Sequence, residues 1–179
     1  MTELGSAPVP EPADDDHRRP PGSTAGGTAA TRIVIVYADF ECPFCAAVHL
    51  RLDRLPVSVV FRHFPVRSSH PRAWPAACAA EAAGLQGRFW EMHDSLFADQ
   101  ARLEDPHLWD RAQRLGLDVE RFDADRRRDA VRERVQRDFR SGVRAGVVTT
   151  PTLFAWEEGA ASPVAIGELE KWLGGSPGG

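Results

Sequence analysis

IVIVYADFECPFC, Ile33 to Cys45, joins a run of β-branched residues to two cysteines separated by two residues. The apolar run has strand length and suits a central strand buried on both faces. The CPFC segment that follows is placed to open a helix, because Pro43 has no N–H to lose in a first turn. A cysteine at a helix N-terminus faces unpaired N–H groups and the positive end of the dipole, which favour thiolate over thiol. Three residues further on, the second sulfur lies within reach of the first. Strand, CxxC and helix in this order are the pattern of a dithiol redox site.

Working outward, the chain has 179 residues, enough for one domain with a substantial core. A net charge of −4 excludes a broadly basic surface, so neither nucleic acid nor an acidic membrane is expected as a partner. The opening MTELGSAPVPEPADDD has neither a basic start nor an apolar core, and no run reaches the ~18 apolar residues of a membrane span. These features lead to the expectation of a cytoplasmic protein. The three cysteines are too few for a disulfide scaffold, and in a reducing compartment a single CxxC pair points to catalysis, redox sensing or metal binding.

The spacing predicts a strand over 32–37, a helix over 42–55 stopped by Pro56, and a strand over 57–64 stopped by Pro65. A βαβ unit of this length makes those strands parallel. From 71 to 145 the pattern is helical with breaks. An alanine-rich helix over 73–83 is expected to be capped by Gly84, and Phe89, His93, Leu96 and Phe97 form one stripe of the next. Asp105-Pro106 opens a third helix closed by Gly116, Asp118 caps a short fourth, and a fifth over 126–144 carries Val131, Val135, Phe139 and Val143 on one face. Its arginines alternate with acids, as on a solvated face. A strand over 152–156, a hairpin partner over 162–166 and a helix over 168–173 end the fold.

The order β-α-β, helices, β-β-α is that of an α/β thioredoxin-like fold with an inserted all-helical subdomain. The expected divisions are a disordered arm (1–30), the first half with the CxxC (31–66), the inserted helices (67–145), the second half with a proline loop (146–173) and a tail (174–179).

CxxC spacing also serves structural zinc, which needs about two further ligands. The candidates are Cys78, His49, His63 and His70, none of which forms a second close pair, so no metal is expected. Cys78, within AACAAEAA, reads as a small buried residue. The second chemical signal is Thr149-Thr150-Pro151 at a strand entrance. In this fold order it suggests a cis-proline loop facing the dithiol, with Thr150 offering backbone N–H and C=O to an extended substrate. An ordinary trans strand start is the alternative.

YADFECPFC (37–45), FRHFP (61–65), QGRFWEMHDSLF (86–97) and GVVTTPT (146–152) together resemble the DsbA-like thiol–disulfide oxidoreductases, and Asp16-His17 is similar to the dipeptide preceding their first strand. The resemblance covers roughly residues 32–156. It implies that Cys42, the more exposed sulfur, forms a mixed disulfide with substrate and that Cys45 resolves it. No cofactor beyond the disulfide is implied. Pro43-Phe44 replaces the Pro-His dipeptide of strongly oxidising members, and Glu41 and Asp39 either push the Cys42 pKa up or are solvated turn residues, so a less oxidising protein is expected. Phe40 and Phe44 are candidates for an apolar rim and equally for core residues. His93 reads as a packed histidine, and His63 and Arg62 have no assigned role. The chain departs from the family in its short first helix, its AWEEG hairpin and its abbreviated last helix.

The leading expectation is a monomeric oxidoreductase acting on protein or peptide disulfides, with thioredoxin, glutathione or a similar thiol as redox partner. The alternatives are a redox-sensing binding module and a glutathione-dependent isomerase or transferase on a related fold. The intact CPFC weighs against the last, which needs no resolving cysteine.

Overall fold

The computed structural model describes residues 10–21, 32–157 and 159–174. Its elements in chain order are β1 (His17–Arg19), β2 (Ile33–Ala38), α1 (Pro43–Leu52), β3 (Ser58–His63), α2 (Ala73–Gly84), α3 (Phe89–Ala98), α4 (Asp105–Arg114), α5 (Val119–Asp125), α6 (Asp129–Arg144), β4 (Thr152–Glu157), β5 (Ala160–Pro163) and α7 (Leu169–Gly174). The strands form one sheet in the order β1-β3-β2-β4-β5, with β2 and β3 parallel and every other pair antiparallel. It is a thioredoxin-like α/β fold with five helices inserted between β3 and β4.

β2 sits at the centre because both its faces are apolar. Val34, Val36 and Ala38 point into the larger core with α1, α2 and α3, while Ile35 and Tyr37 join Val60, Phe64 and Phe154 in a second core against Phe139 of α6. The chain thus buries both faces of the sheet, as a strand pair joined by a crossover requires.

Three expectations need correcting. Part of the arm expected to be loose over 1–30 is a strand: β1 pairs with β3, His17 opposite Phe61, and Arg62 reaches back to Asp16 at 2.8 Å. Residues 1–9 and 22–31 lie outside the described residues, as do 175–179 of the expected tail. Gly84 is not a cap but the last residue of α2, and the left-handed position falls at Gly87 (φ 74°). The buried face of α6 runs Val131, Val135, Asp138, Gly142, leaving Val143 exposed. A helix turns once every 3.6 residues, so a stripe extended in steps of four drifts off the core. The last hairpin and α7 form despite the unusual AWEEG turn, whose Gly159 supplies the positive φ (84°).

Gly142 lets α6 press directly on the sheet. A Cβ there would lie 2.6 Å from Phe64 Cδ2 and 2.9 Å from Tyr37 Cδ1, both rings of the second core. Gly142→Ala is expected to destabilise the protein by about 1–3 kcal/mol through overpacking, against the small gain alanine normally brings to a helix. A urea midpoint equal to or above that of the unmodified chain would contradict this packing.

Candidate active site

Cys42 is the N-cap of α1, in extended conformation (φ −81°, ψ 118°), and Pro43 occupies the first turn. Both cysteines are thiols here. The Thr150–Pro151 bond is cis, and Cys42 Sγ lies 3.5 Å from the Thr150 carbonyl oxygen, to which its S–H donates. Two segments 108 residues apart in sequence therefore meet at one sulfur.

The two sulfurs differ in acidity. Cys42 is lowered to about 6, first by the hydrogen bond from the Cys45 side chain, against the opposing effect of burial, and then by the Cys45 N–H, Thr150 and the Phe44 N–H. Cys45 moves far in the other direction, because burial and the adjacent Cys42 both disfavour a second thiolate. Cys42 is thus the more acidic of the two sulfurs and Cys45 the less.

Cys42 is the more exposed sulfur only by a narrow margin, 3% accessible against 2% for Cys45, so both are buried. Contrary to expectation, the carboxylates beside it do not raise its pKa, because each is engaged elsewhere. Asp39 is buried and accepts hydrogen bonds from the Glu41 N–H, the Val66 N–H and His70 Nδ1, all at 2.8 Å. Glu41 accepts from the Arg72 N–H (2.7 Å) and Arg72 Nε (2.8 Å). They shape the turn and tether it to the helical insertion.

The aromatic rim divides as well. Phe40 is a core residue, its ring 4.8 Å from that of Phe97 and 5.3 Å from that of Phe61. Phe44 is 73% exposed, and Val148, two residues before Thr150, is 91% exposed. A groove of about 370 Å³ lined by Val48, Pro151, Leu153, Val164 and Ile166 leads away from the proline loop.

The thioredoxin family model matches residues 19–174. The chain belongs to the thioredoxin family. Among solved structures it is similar to the thiol-disulfide exchange protein α-DsbA2 of Wolbachia pipientis (17% identity, 83% of each chain, TM-score 0.67). It is also similar to DsbA2 of Pseudomonas aeruginosa (25% identity, 78% of this chain and 81% of that one, TM-score 0.60). Among curated proteins it is similar to a Na(+)/H(+) antiporter NhaA 3 of Salinispora tropica, 43% identical over 154 residues, or 82% of this chain and 22% of that protein. The chain spans about a fifth of the length of such relatives. No helix among the described residues is long and apolar enough to cross a membrane.

Several residues that serve this thioredoxin-family site are silent in the sequence. Gln100 Nε2 donates to the carbonyls of Phe40 (2.8 Å) and Cys42 (2.9 Å), clamping the CxxC loop to the insertion. No periodicity or motif marks it. Arg72 joins Glu41 to Glu104 (2.9 Å) and does the same from α2. Arg62 and His63, unassigned from sequence, anchor β3 on its two sides. Arg62 donates to the Tyr37 hydroxyl (2.9 Å), and His63 Nε2 donates to Glu81 (2.9 Å).

Two clusters among the described residues are dense enough to hold an ion: His49–His93–Asp94 and His63–Glu81–Asp138. Neither includes a cysteine, and each already holds a guanidinium: Arg19 lies on Asp94 at 2.5 Å, and Arg134 on Asp138 at 2.5 Å. Cys78 is buried in α2 and pushed up to about 11 by burial, the behaviour of an inert packed thiol.

Proposed function

We propose that this chain is a thiol–disulfide oxidoreductase that exchanges disulfides with protein or peptide substrates through Cys42 and Cys45. The observation that carries the reading is a thiol held at about 6 at a helix N-terminus, 3.5 Å from the backbone of the cis-proline loop. In the reducing direction Cys42 thiolate attacks one sulfur of a substrate disulfide, and the other sulfur leaves as thiolate. Cys45, after losing its proton, attacks Cys42 Sγ; the second substrate sulfur leaves, and two electrons have passed from the dithiol to the substrate. The oxidising direction is the reverse.

An extended peptide pairing with the Thr150 backbone would bring its disulfide to Cys42, while Phe44, Val148 and the groove beside Pro151 accept apolar side chains. A small thiol or a thioredoxin would return the pair to its starting state. Cys45→Ser keeps the attacking sulfur and removes the resolving one. It is expected to accumulate a mixed disulfide through Cys42, visible as a reducible mass increase after one turnover with a disulfide peptide. Full turnover by Cys45→Ser would instead favour a monothiol, glutathione-dependent reaction, and oxidation of the unmodified chain without cycling would favour a redox sensor.

A second reading rests on the relatives named as antiporters, of which this chain matches about a fifth. A domain of this kind could serve the cysteines of a membrane transporter by the same exchange. The Cys45→Ser trap separates the two, since the captured partner would then be a membrane protein.

A further inference from the structure

α1 and α3, from the two halves of the molecule, bring four metal-ligating side chains together. His49 and Asp53 stand four residues apart, Asp53 as the C-cap of α1, so both lie on one face of that helix. His93 and Asp94 come from α3 of the helical insertion. The ligand nitrogens of His49 and His93 and an Asp94 oxygen all lie within 4.8 Å of one another. The His49 ring is held in place, stacked on Phe97 (centroids 5.3 Å apart) and meeting His93 edge-on at 4.9 Å.

The spacing points to a shared cation. His49 Nε2 lies 3.5 Å from Asp94 Oδ1 and 3.6 Å from Asp53 Oδ2. Both distances exceed the ~2.7–3.2 Å of an N–H···O hydrogen bond, so His49 donates to neither carboxylate. Both are close to the ligand–ligand edge of a tetrahedral zinc site, about 3.3 Å for bonds of about 2.0 Å. His93 Nδ1, 2.9 Å from the same Asp94 oxygen, is the second nitrogen. Burial lowers His49 against the pull of both aspartates, so the ring faces them as a neutral base and not as their counter-ion. The other dense cluster has no such gap: His63 already hydrogen-bonds Glu81 through Nε2 (2.9 Å) and Asp138 through its backbone N–H (3.2 Å).

The cation that serves these carboxylates in the structure is a side chain. Arg19 of β1 lies 2.9 Å from Asp53 Oδ1 and 2.5 Å from Asp94 Oδ1, with its guanidinium over the Trp90 ring at 4.3 Å. It takes Oδ1 of Asp53 and leaves Oδ2 turned to His49. The Asp53 and Asp94 side chains are 39% and 47% accessible and those of His49 and His93 12% and 3%, so an ion would enter from the carboxylate side. We propose that His49, His93 and Asp94 bind one divalent cation of the zinc type, with Asp53 Oδ2 closing its fourth position. Two imidazoles with carboxylates suit zinc over calcium or magnesium, which favour oxygen ligands alone. The ion ties α1, which carries the dithiol, to α3 of the insertion. No cysteine takes part, so the site stands apart from the exchange reaction.

The test uses the Cys42→Ser/Cys45→Ser chain, whose active-site pair cannot bind metal. It is stripped of metal and titrated with Zn²⁺ by calorimetry and with Co²⁺ by visible absorption. One equivalent is expected to bind, with the strong visible bands of four-coordinate Co²⁺ and a higher melting temperature. His49→Gln and Asp94→Asn, added singly, are each expected to weaken binding at least about 100-fold, the upper end of the loss that an outer-shell partner causes. Arg19→Gln removes the competing charge and is expected to tighten binding about tenfold, as one unit charge a few ångströms away does even in water. Each variant is melted without metal, and if one ligand variant does not fold the other decides. Failure of the parent chain to bind, or binding that survives both His49→Gln and Asp94→Asn as an adventitious ion only, would overturn the proposal.

Discussion

Replacing Cys42 by serine is expected to reduce disulfide exchange to the uncatalysed background while leaving the fold in place. The side chain is buried, and sulfur to oxygen changes one atom, so the core of α1 and β2 keeps its packing. With its pKa at about 6, Cys42 is about nine-tenths thiolate at pH 7, against about one-hundredth at the ordinary value of 9.0. A serine hydroxyl stays protonated there and forms no disulfide, so both the nucleophile and the redox couple disappear. The measurement is turnover of a disulfide peptide alongside thermal melting. Residual activity above background in a folded Cys42→Ser chain would mean that another sulfur carries the reaction, with Cys45 the candidate.

Glu81→Ala is expected to cost about 3–5 kcal/mol, as expected when one partner of a buried ionic group is removed. Oε1 of Glu81 accepts from His17 Nε2 (2.8 Å) and His63 Nε2 (2.9 Å), with Arg134 Nε at 3.8 Å, so one carboxylate joins β1, β3, α2 and α6. His63 Nδ1 is buried without a partner, so the ring's fit depends on the bond at Nε2. Loss of the carboxylate leaves His63 Nε2 buried without its acceptor, while Arg134 keeps Asp138 at 2.5 Å. The pH dependence has a definite sign. Burial pushes the Glu81 carboxyl up, but hydrogen bonds from His17 and His63 outweigh it and hold the group well below its ordinary value of 4.5. A depressed carboxyl contributes stability that is fully present above its unfolded value and is lost as pH falls below it. The unmodified chain should therefore lose stability below about pH 4.5 more steeply than Glu81→Ala does. Asp138, raised by burial, acts in the opposite sense in both chains. Urea midpoints at pH 7 and pH 3.5 check both parts, and a gap between the two chains that is no smaller at pH 3.5 would contradict the assignment.

What was legible in the sequence was local and strongly patterned. The apolar run of β2, the CxxC at the head of α1 and the Thr-Pro entrance to β4 each carry their own signal, and together they led to the correct sheet and insertion. β1 was invisible because HRR has no apolar alternation; its strand exists only through pairing with β3 and the Asp16–Arg62 contact. Asp39 and Glu41 were read from sequence distance as acids acting on Cys42. Their real partners, His70 and Arg72, lie across the first turn of the insertion. Glu81 had a signal that went unused: a lone charge in AACAAEAA must be paired if that helix is buried. Gln100 had no such signal.

The most direct test of the account is a redox titration of the Cys42–Cys45 couple in glutathione buffers, followed by tryptophan fluorescence and thiol alkylation. A nucleophilic thiol near 6 falls between thioredoxin's at about 7 and DsbA's at about 3.5, so interpolation between their potentials places this couple at roughly −230 mV. A single two-electron transition near that value, lost in Cys42→Ser and in Cys45→Ser, is the predicted result. If no Cys42–Cys45 disulfide forms at any buffer ratio, the chain is not a dithiol exchange protein.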